Sequence, residues 1–459
     1  MTTAPTTRLI PLPLSTGTVP AAVPVLSSFL AGDAAVLPLP DGPGDAARTR
    51  ATLTALMRPD EPAAPGTLIA CTSGSTGTPK GAVLRTPALD ASARATAELV
   101  ADRWGVSPGP WLLALPPHHI AGLQVILRSL HAGFTPHVTD PDLHGFTAAT
   151  RALRAAHPGE DLHTSLVPTQ LVRVLHDPAA TAALREYASV LVGGAATPPD
   201  VLARCRDAGV HIVLTYGSSE TSGGMVYDGR PLPGTSVTLE NPDAAGVGRV
   251  LLHGPTVAEG YRTVPAGTDG AAGVAGAGGA DNADDAFPRP GTFRTSDLGR
   301  IDDGVLTVLG RADGAVNTGG LKVLPEEVEA ALAAAVPGAT ACALGVPDPE
   351  WGEAVVAVVA TAPGAGAGVP GVDDDATASA AAATAPGAAA GPADLAGTTG
   401  PATPVDVTPR LRALLHDAAT PAHLIPRRVW RVPALPLTGP GKVDRVTVRR
   451  TVTALLDRG

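Results

Sequence analysis

The stretch TSGSTGTPKG, residues 72–81, follows a short apolar run at 67–71 that predicts a buried strand. Its glycines allow the backbone to approach a ligand closely, and the N–H groups of such a loop form a concave site for anions. Hydroxyl groups add donors, and Lys80 adds a positive charge. The stretch therefore predicts a loop that binds a polyphosphate, although its spacing is not that of a Walker loop. The alternative is a surface turn rich in small polar residues.

Lysine is scarce in this chain. The chain has 33 lysines and arginines together, of which only Lys80, Lys322 and Lys442 are lysines. Where arginine serves as the general cation, lysine is expected only at positions that need a compact ammonium group. Each of the three lies within two residues of a glycine. We predict that all three are functional; the alternative is that they remain by chance.

Length and charge narrow the class of protein. A chain of 459 residues has room for two or three domains, and a net charge of −10 argues against a nucleic-acid-binding surface. Cys71, Cys205 and Cys342 lack the spacing of metal ligands and indicate a reducing, cytoplasmic compartment. No apolar run reaches 18 residues, so no membrane span is expected. The N-terminus, with scattered prolines, does not predict a signal peptide.

Predicted strands alternate with predicted helices over the first half of the chain, which is typical of a mostly parallel sheet. Ligands bind beyond the carboxyl ends of the strands in such sheets. Three loops follow predicted strands directly and should meet at one rim: the loop at 72–81, Gly193-Gly194-Ala195 and the stretch YGSSET at 216–221. From Gly248 onward, short alternating strands predict a β section.

The predicted fold class is α/β. A large N-terminal domain of mostly parallel sheets with helices, plus the β section, is expected over residues 1–312, and a small, mobile α+β domain over residues 313–459. Two segments rich in alanine, glycine and aspartate have a composition that cannot bury a core. They predict a flexible insertion at 265–290 and a low-complexity insertion at 362–405.

Five stretches occur in a fixed order: TSGSTGTPKG at 72–81, YGSSET at 216–221, RTSDLG at 294–299, GRADGAVNTGGLKVLPEEVE at 310–329 and LPLTGPGKVDR at 435–445. Together they resemble the adenylate-forming superfamily of acyl-CoA synthetases, luciferases and nonribosomal-peptide adenylation domains. The resemblance implies that a carboxylic acid reacts with ATP to give an acyl-adenylate and pyrophosphate. A thiol, usually coenzyme A, then displaces AMP. It also implies that the small C-terminal domain joins the active site in two orientations.

The resemblance also implies roles for individual residues. Lys80 would balance the charge of the β- and γ-phosphates, Glu220 would help to bind Mg²⁺, and Thr221 would contact the α-phosphate. Lys442 would bridge the reacting carboxylate and the α-phosphate, and Asp313 would be the hinge between the domains. The nucleotide and coenzyme A would be bound by Thr72, Ser73, Gly74, Ser75, Thr76, Gly77, Gly193, Gly194, Ala195, Tyr216, Gly217, Asp297, Arg311 and Lys322.

Taken alone, several of these residues have a plainer interpretation. Tyr216, which would stack on adenine, is more often a core or turn aromatic residue. Asp297, which would accept hydrogen bonds from the ribose, could cap a turn. Glu220 alone is usually a solvated carboxylate, and Lys322 could be a surface residue. Their positions within the matched motifs are what favour the functional interpretation.

Three stretches, 115–129, 165–171 and 216–229, are similar to the o-succinylbenzoate–CoA ligases of actinobacteria. Those enzymes act in menaquinone synthesis. The resemblance implies that the acid to be activated is o-succinylbenzoate, whose second carboxylate needs a cationic partner or several donors.

The candidate acid-binding residues follow from the same stretches. The resemblance places His119 at the acid pocket; the alternative is a polar turn. Gln124 and Arg128 lie one helical turn apart on the helix that His119 opens. They are candidates for the second carboxylate, as is Arg173, and a surface ion pair is the alternative for each arginine. Thr169 is a further candidate for contact with the substrate.

Other functions remain open on the sequence alone. The chain could be another aryl-acid or short-chain acyl-CoA ligase, or an adenylation domain that feeds a carrier protein. An inactive nucleotide-binding regulator is a remote alternative, against which Lys80, Glu220, Asp297 and Lys442 together argue. The sequence departs from typical members in that its phosphate loop begins as early as residue 72. The expected partners are a carboxylic acid, ATP and coenzyme A, with a homodimer as an open alternative.

Overall fold

The computed structural model describes residues 6–72, 79–262, 283–361, 404–438 and 442–456. The described chain divides into two compact units. The first runs to residue 308 apart from residues 198–200, and the second takes those three residues and the chain from 309 onward. The predicted domain boundary after residue 312 stays a prediction.

The strands up to that region are, in chain order, β1 Thr7–Leu14, β2 Ala35–Pro40, β3 Pro62–Ala63, β4 Thr67–Thr72, β5 Lys80–Arg85, β6 Trp111–Leu113, β7 His137–Val138, β8 Leu162–Leu166, β9 Tyr187–Gly193, β10 Ile212–Ser218, β11 Gly223–Tyr227, β12 Arg230–Pro231, β13 Ser236–Glu240, β14 Gly248–His253, β15 Tyr261–Arg262, β16 Thr292–Asp302 and β17 Val305–Arg311. The helices are α1 Val19–Leu30, α2 Asp45–Met57, α3 Thr86–Trp104, α4 Ile120–His131, α5 Phe146–Ala156, α6 Pro168–His176, α7 Pro178–Leu184, α8 Pro199–Asp207 and α9 Ala283–Ala286.

The first sheet has the strand order β15-β5-β4-β2-β1-β3 in the described chain. Strands β1, β2 and β4 are parallel, and the outer pairs are antiparallel. Every residue of β2 is buried, which is the continuous apolar pattern of a strand covered on both faces. Leu26 and Phe29 of α1 are fully buried in the same apolar cluster as Val36. This core fixes the β4–β5 pair, which flanks the predicted phosphate loop in the sequence.

The second sheet has the order β12-β11-β10-β9-β8-β6-β7. Its strands from β10 to β7 are parallel, with Leu113, Ser165, Leu191 and Val213 side by side. The carboxyl ends of these strands therefore meet at one edge, where a ligand is expected. The prediction of a mostly parallel sheet is confirmed.

The predicted β section is a third sheet with the order β13-β14-β16-β17, in which β14 is antiparallel to both β13 and β16. The predicted insertion at 265–290 is wrong at its end. Residues 283–290 include α9 and Phe287, whose ring centre lies 5.1 Å from that of Tyr261 and 5.4 Å from that of Phe293. This aromatic packing joins the segment to the core. Residues 265–282 lie outside the described chain.

The second unit mixes helices with a sheet. Its strands are β18 Val316–Thr318, β19 Leu321–Val323, β20 Ala339–Asp348, β21 Gly352–Thr361, β22 Val405–Asp406, β23 Arg428–Val432, β24 Leu437–Thr438 and β25 Lys442–Val443, and its helices are α10 Pro325–Ala335, α11 Thr408–Asp417 and α12 Arg445–Leu456. Val405, at the end of the predicted low-complexity insertion, pairs with Arg431; residues 362–403 lie outside the described chain. Across the described ranges, no helix has the length and apolarity to cross a membrane.

Candidate active site

The turn at 216–221 lies at the carboxyl edge of the second sheet, and Asp297 of the third sheet reaches it. The Tyr216 hydroxyl in β10 donates a hydrogen bond to Asp297 Oδ2 at 2.5 Å. The Thr295 hydroxyl accepts from the Asp297 backbone N–H at 3.0 Å and so orients the segment that presents the carboxylate. Two residues predicted to bind the nucleoside are thereby brought together.

A cation, a phenol and a carboxylate form a second group. Glu220 is 7% exposed, and its Oε1 accepts a hydrogen bond from the Tyr261 hydroxyl at 2.8 Å. Lys80 Nζ lies 5.1 Å from the centre of the Tyr261 ring, within the range of a cation–π contact. Strand pairing explains the arrangement, because β15 pairs with β5 and places Tyr261 opposite Ala82. Lys80, Tyr261 and Glu220 are therefore connected through Tyr261. The group offers a cation, which suits the phosphates of a nucleotide.

Tyr261 is missing from the residues predicted by sequence. Its place depends on the pairing of β15 with β5, which joins positions 82 and 261, and no local pattern reveals such a contact. The rarity of tyrosine could have singled it out, since the chain has only 4 tyrosines. The same argument, from the rarity of lysine, identified Lys80.

The two ends of the predicted phosphate loop are paired strand residues. Thr72 ends β4 and lies opposite Lys80, which begins β5. The next residue must be small, because a Cβ on Gly81 would lie 2.4 Å from Met57 Sδ and 2.7 Å from Ile69. The predicted ligands between these ends lie outside the described residues: Ser73, Gly74, Ser75, Thr76 and Gly77.

Thr221 has a different role from the predicted one. Its side chain is fully buried, and its hydroxyl accepts from the Ser218 N–H at 3.0 Å and donates to the Gly223 carbonyl at 2.8 Å. The hydroxyl is engaged within the turn, and its predicted contact with the α-phosphate stays a prediction. Gly217 allows the turn to close, because a Cβ there would lie 2.1 Å from the Gly223 carbonyl oxygen. Both residues position Glu220.

The loop after β9 lies at the same edge. Gly193 ends the strand, and a Cβ on it would lie 2.3 Å from Thr215 Oγ1 of the neighbouring strand. Gly194 follows with a φ of 85°, which favours glycine, and Ala195 is exposed. The chain therefore turns sharply just beyond the sheet. That these residues bind the nucleotide stays a prediction.

The predicted acid site begins at the start of α4. His119 is the N-cap residue, and its ring centre lies 4.3 Å from that of His118. Gln124 is 1% exposed and donates through Nε2 to the Ser222 carbonyl at 2.5 Å. Gly223 follows with a φ of 93°, and a Cβ there would lie 3.4 Å from Gln124 Cγ. The start of α4 thus faces the segment that follows Glu220.

Two buried polar atoms on the segment predicted to bind the acid have no hydrogen-bond partner in the described chain, Gln124 Oε1 and His118 Nδ1. An unsatisfied buried polar atom costs about 1–3 kcal/mol. Burial lowers the pKa of His118, against a hydrogen bond with the Leu14 backbone that raises it. The imidazole is therefore neutral at neutral pH and can donate or accept. These atoms favour a polar ligand at this place.

The other predicted acid-site residues do not all join this group. Thr169 is half-buried in the first turn of α6, at the carboxyl edge of the sheet, whereas Arg173 is exposed. Arg128 Nη2 donates to the Tyr227 hydroxyl at 3.1 Å, and its guanidinium lies over Trp111. Trp111 begins β6, so Arg128 lies at the amino edge of the sheet, away from His119. The structure does not bring it together with His119, and its contact with the substrate stays a prediction.

Four predicted residues belong to the second unit and are described within it alone. Arg311 donates to Asp313 through Nε at 2.9 Å and through Nη2 at 2.6 Å, a bidentate ion pair. Lys322 is exposed in β19, and Lys442 begins β25. Their roles at the nucleotide, the hinge and coenzyme A stay predictions.

Relatives of known sequence match more than half of the chain. Over 270 residues the chain is 47% identical to a probable 2-succinylbenzoate–CoA ligase of Mycobacterium tuberculosis, and the alignment covers 58% of this chain and 63% of that protein. A 2-succinylbenzoate–CoA ligase of Escherichia coli K12 is 31% identical over 276 residues, 57% of this chain and 51% of that protein. The chain thus spans less than two thirds of the length of these relatives.

Solved structures share the fold. The o-succinylbenzoate CoA synthetase of Bacillus subtilis, in complex with the acyl-adenylate intermediate, gives a TM-score of 0.59 at 22% identity over 83% of this chain and 68% of that chain. ATP-bound MatB from Rhodopseudomonas palustris gives 0.62 at 23% identity over 97% and 79%. The sequence profile described as AMP-binding enzyme matches residues 27–262, just over half of the chain. The chain therefore belongs to the family of AMP-binding enzymes.

Proposed function

We propose that the chain is an AMP-forming acid–thiol ligase that activates o-succinylbenzoate with ATP and transfers the acyl group to coenzyme A, a step of menaquinone synthesis. The observation that carries the proposal is the turn at 216–221. Tyr216 contacts Asp297 at one end of it, and Glu220 contacts Tyr261 at the other. One short segment thus joins a pair suited to a nucleoside to a group suited to phosphates.

In the first step, a carboxylate oxygen of the acid attacks the α-phosphorus of ATP. The bond to the bridging oxygen breaks, and pyrophosphate leaves with the electron pair. No proton has to move, so the protein must position the reactants and stabilise negative charge. We assign Lys80, held beside Tyr261, to the leaving pyrophosphate. We assign Lys442 to the reacting carboxylate and the α-phosphate.

The residues present fit a magnesium ion. Glu220 offers a buried carboxylate that the Tyr261 hydroxyl already orients. In nucleotide sites Mg²⁺ is commonly held by one or two carboxylates together with waters and phosphates. When bound, the ion would neutralise charge on the phosphate oxygens. Glu220 is the residue that would hold it.

In the second step, the thiolate of coenzyme A attacks the acyl carbon of the adenylate, and AMP leaves. Lys322 is the residue that we assign to coenzyme A. Cys71 adjoins the phosphate loop, but burial raises the pKa of its thiol to about 12. A thiol that stays protonated is a poor nucleophile. Cys71 therefore does not compete with the thiol of coenzyme A as a nucleophile.

The similarity to the Mycobacterium and Escherichia ligases supports o-succinylbenzoate as the acid. In this chain His119, Gln124 and Gly223 would line the acid site, where Gln124 Oε1 is available to a ligand donor. We place the reaction in the cytoplasm, which supplies ATP and coenzyme A and keeps the three cysteines as free thiols.

ATP–pyrophosphate exchange with a panel of acids tests the proposal. We expect exchange with o-succinylbenzoate well above that with benzoate, malonate or a fatty acid. Exchange with one of the others but not with o-succinylbenzoate would assign a different acyl-CoA ligase. No exchange with any acid would favour a nucleotide-binding regulator.

A matched pair of variants tests the role of Glu220. Glu220→Gln should lower the exchange rate about tenfold or more, because a neutral amide is a poor ligand for Mg²⁺. Glu240→Gln removes a carboxylate that pairs with Arg294 at 2.6 Å on the third sheet, and it should leave the rate unchanged. Equal rates in the two variants would remove Glu220 from the site.

A further inference from the structure

A cavity of about 200 Å³ lies at the amino edge of the second sheet. Trp111 and His163 in its wall are register partners at the amino ends of β6 and β8. The candidate nucleotide residues follow the carboxyl ends of the sheet's parallel strands. The four steps of the chain from Trp111 to Leu115, at about 3.3 Å each, separate the two edges by roughly 13 Å. This space, called the rear cavity below, is distinct from the nucleotide site.

Arg128 places a buried cation in the wall of the rear cavity. It is 7% exposed, donates through Nη2 to the Tyr227 hydroxyl at 3.1 Å and lies 5.5 Å from the centre of the Trp111 ring. Within the described ranges, its Nε has no hydrogen-bond partner and the guanidinium forms no salt bridge. A buried charge without a counter-charge is unfavourable. The position is therefore prepared for an anion.

His163 does not compete for that anion. Its ring nitrogens lie 2.7 Å from the Ser189 hydroxyl and 3.0 Å from the Ser107 carbonyl, so both are engaged. Burial lowers the pKa of His163 to about 4, so the ring is neutral at neutral pH. It contributes a flat wall stacked on Trp111, with ring centres 5.0 Å apart.

Within the described chain, the other charged side chains at the rear cavity form no salt bridge with Arg128. Asp90 Oδ1 lies 2.7 Å from His131 Nε2, so this carboxylate is paired with the histidine. Arg94 lies at the exposed mouth and adds a second positive charge. An entering anion would therefore meet the guanidinium of Arg94 at the mouth and that of Arg128 at the back, while the Asp90 carboxylate lies against His131.

Thr96 adds one hydroxyl, which is already bonded to the Ser92 carbonyl at 2.8 Å and to the Tyr227 hydroxyl at 3.1 Å. The rest of the wall is apolar: Ala93, Ala97, Val100, Pro108 and Ala132. An apolar cavity of about 150 Å³ is large enough for benzene. The rear cavity therefore has room for one ring or a short chain, with one carboxylate that reaches the guanidinium.

We propose that the rear cavity binds a small carboxylic acid with an aromatic or apolar body, its carboxylate on Arg128 and its body between α3 and α4. Because α4 also carries Gln124 and begins at His119, such a ligand contacts the helix of the acid site while occupying a separate space. The proposal stands independently of the reaction assigned to the protein.

The probe is 4-fluorobenzoate, titrated into the full-length protein and followed by ¹⁹F NMR. Saturable binding should weaken about tenfold or more in Arg128→Met, which removes the charge, and in Ala97→Phe, which fills the cavity. Arg173→Met, which removes an exposed arginine of α6, is the control and should bind as wild type does. The neutral 4-fluorobenzamide should bind about tenfold more weakly than the acid.

Competition distinguishes the rear cavity from the candidate active site. Saturating ATP and o-succinylbenzoate should leave the bound probe in place. Competitive displacement by either, equal affinity in wild type, Arg128→Met and Ala97→Phe, or no saturable binding would each overturn the proposal. Should Arg128→Met fail to fold by circular dichroism, Ala97→Phe decides, because Ala97 is half-buried and Arg128 stays in place.

Discussion

At the scale of single residues, the Tyr261 hydroxyl orients the carboxylate of Glu220. Tyr261→Phe removes this hydrogen bond of 2.8 Å and leaves the ring beside Lys80. A hydrogen bond to a charged group contributes about 1.5–3 kcal/mol. The KM for MgATP in the exchange assay should therefore rise about tenfold to a hundredfold, with a smaller change in the KM for the acid.

Tyr187→Phe provides the matched control for that variant. The Tyr187 hydroxyl is hydrogen-bonded to Thr150 at 2.8 Å, in the apolar cluster behind the second sheet. Its removal should lower the free energy of unfolding but leave the KM for MgATP unchanged. If Tyr261→Phe behaves in the same way as the control, the hydroxyl has no role in binding the nucleotide.

The structure brings together residues that the sequence singles out by separate local motifs. Tyr216 and Asp297 were predictable because each stands in a recognisable stretch, and the hydrogen bond between them joins those stretches. The orientation of the Thr221 hydroxyl toward the Gly223 carbonyl could not be predicted, because a motif does not reveal which way a hydroxyl points. Tyr261 could not be predicted, since its contact with Glu220 depends on two strands meeting from distant parts of the chain.

At the scale of elements, the site depends on the close pairing of β10 with β11. A Cβ on Gly217 would lie 2.1 Å from the Gly223 carbonyl oxygen. Gly217→Ala should therefore force the strands apart and lower the free energy of unfolding by about 1–3 kcal/mol. Exchange activity should fall further than stability, because the displaced turn carries Glu220.

Urea unfolding and exchange assays measure both effects in Gly217→Ala. Gly17→Ala is the control, because the nearest atom to its Cβ would be Ser15 Oγ at 3.9 Å. It should keep wild-type stability and activity. Wild-type behaviour of Gly217→Ala would show that the strands can separate without moving the site.

The sequence predicts the helices and strands better than it predicts where they lie in the fold. The alternation of strands and helices indicates a parallel sheet, and the carboxyl edge then locates the nucleotide loops. Helix α4 shows the limit: its 12 residues extend about 18 Å, so its two ends lie at opposite edges of the sheet. The spacing of Gln124 and Arg128 shows that they share a face, but not that Arg128 lies beside Trp111.

At the scale of the whole molecule, the second unit should respond to pH through Glu329 of α10. Glu329 Oε1 accepts from Arg445 of α12 at 2.6 Å and from the Ala343 N–H of β20 at 2.8 Å. Burial raises the pKa of Glu329 to about 7, against the opposing effect of Arg445. The folded unit therefore binds a proton more tightly than the unfolded chain, whose carboxyl has a pKa near 4.5.

The sign of the effect follows from that difference. Between pH 4.5 and 7 the folded unit holds more protons, so its stability falls as the pH rises and levels off above 7, by about 1–3 kcal/mol in all. Glu329→Gln should abolish this slope. Hydrogen exchange in peptides that cover β20 and α12 measures it at both ends of the window. Parallel curves for the variant and the wild type would contradict the assignment.

The central claim is that this chain makes a thioester from o-succinylbenzoate through an adenylate. The most direct measurement incubates the purified protein with o-succinylbenzoate, MgATP and coenzyme A and identifies the products by mass spectrometry. We predict o-succinylbenzoyl-CoA, with one AMP and one pyrophosphate formed per thioester, and loss of the thioester in Lys442→Ala. Formation of ADP would contradict the claim. Absence of all three products, the thioester, AMP and pyrophosphate, would also contradict it.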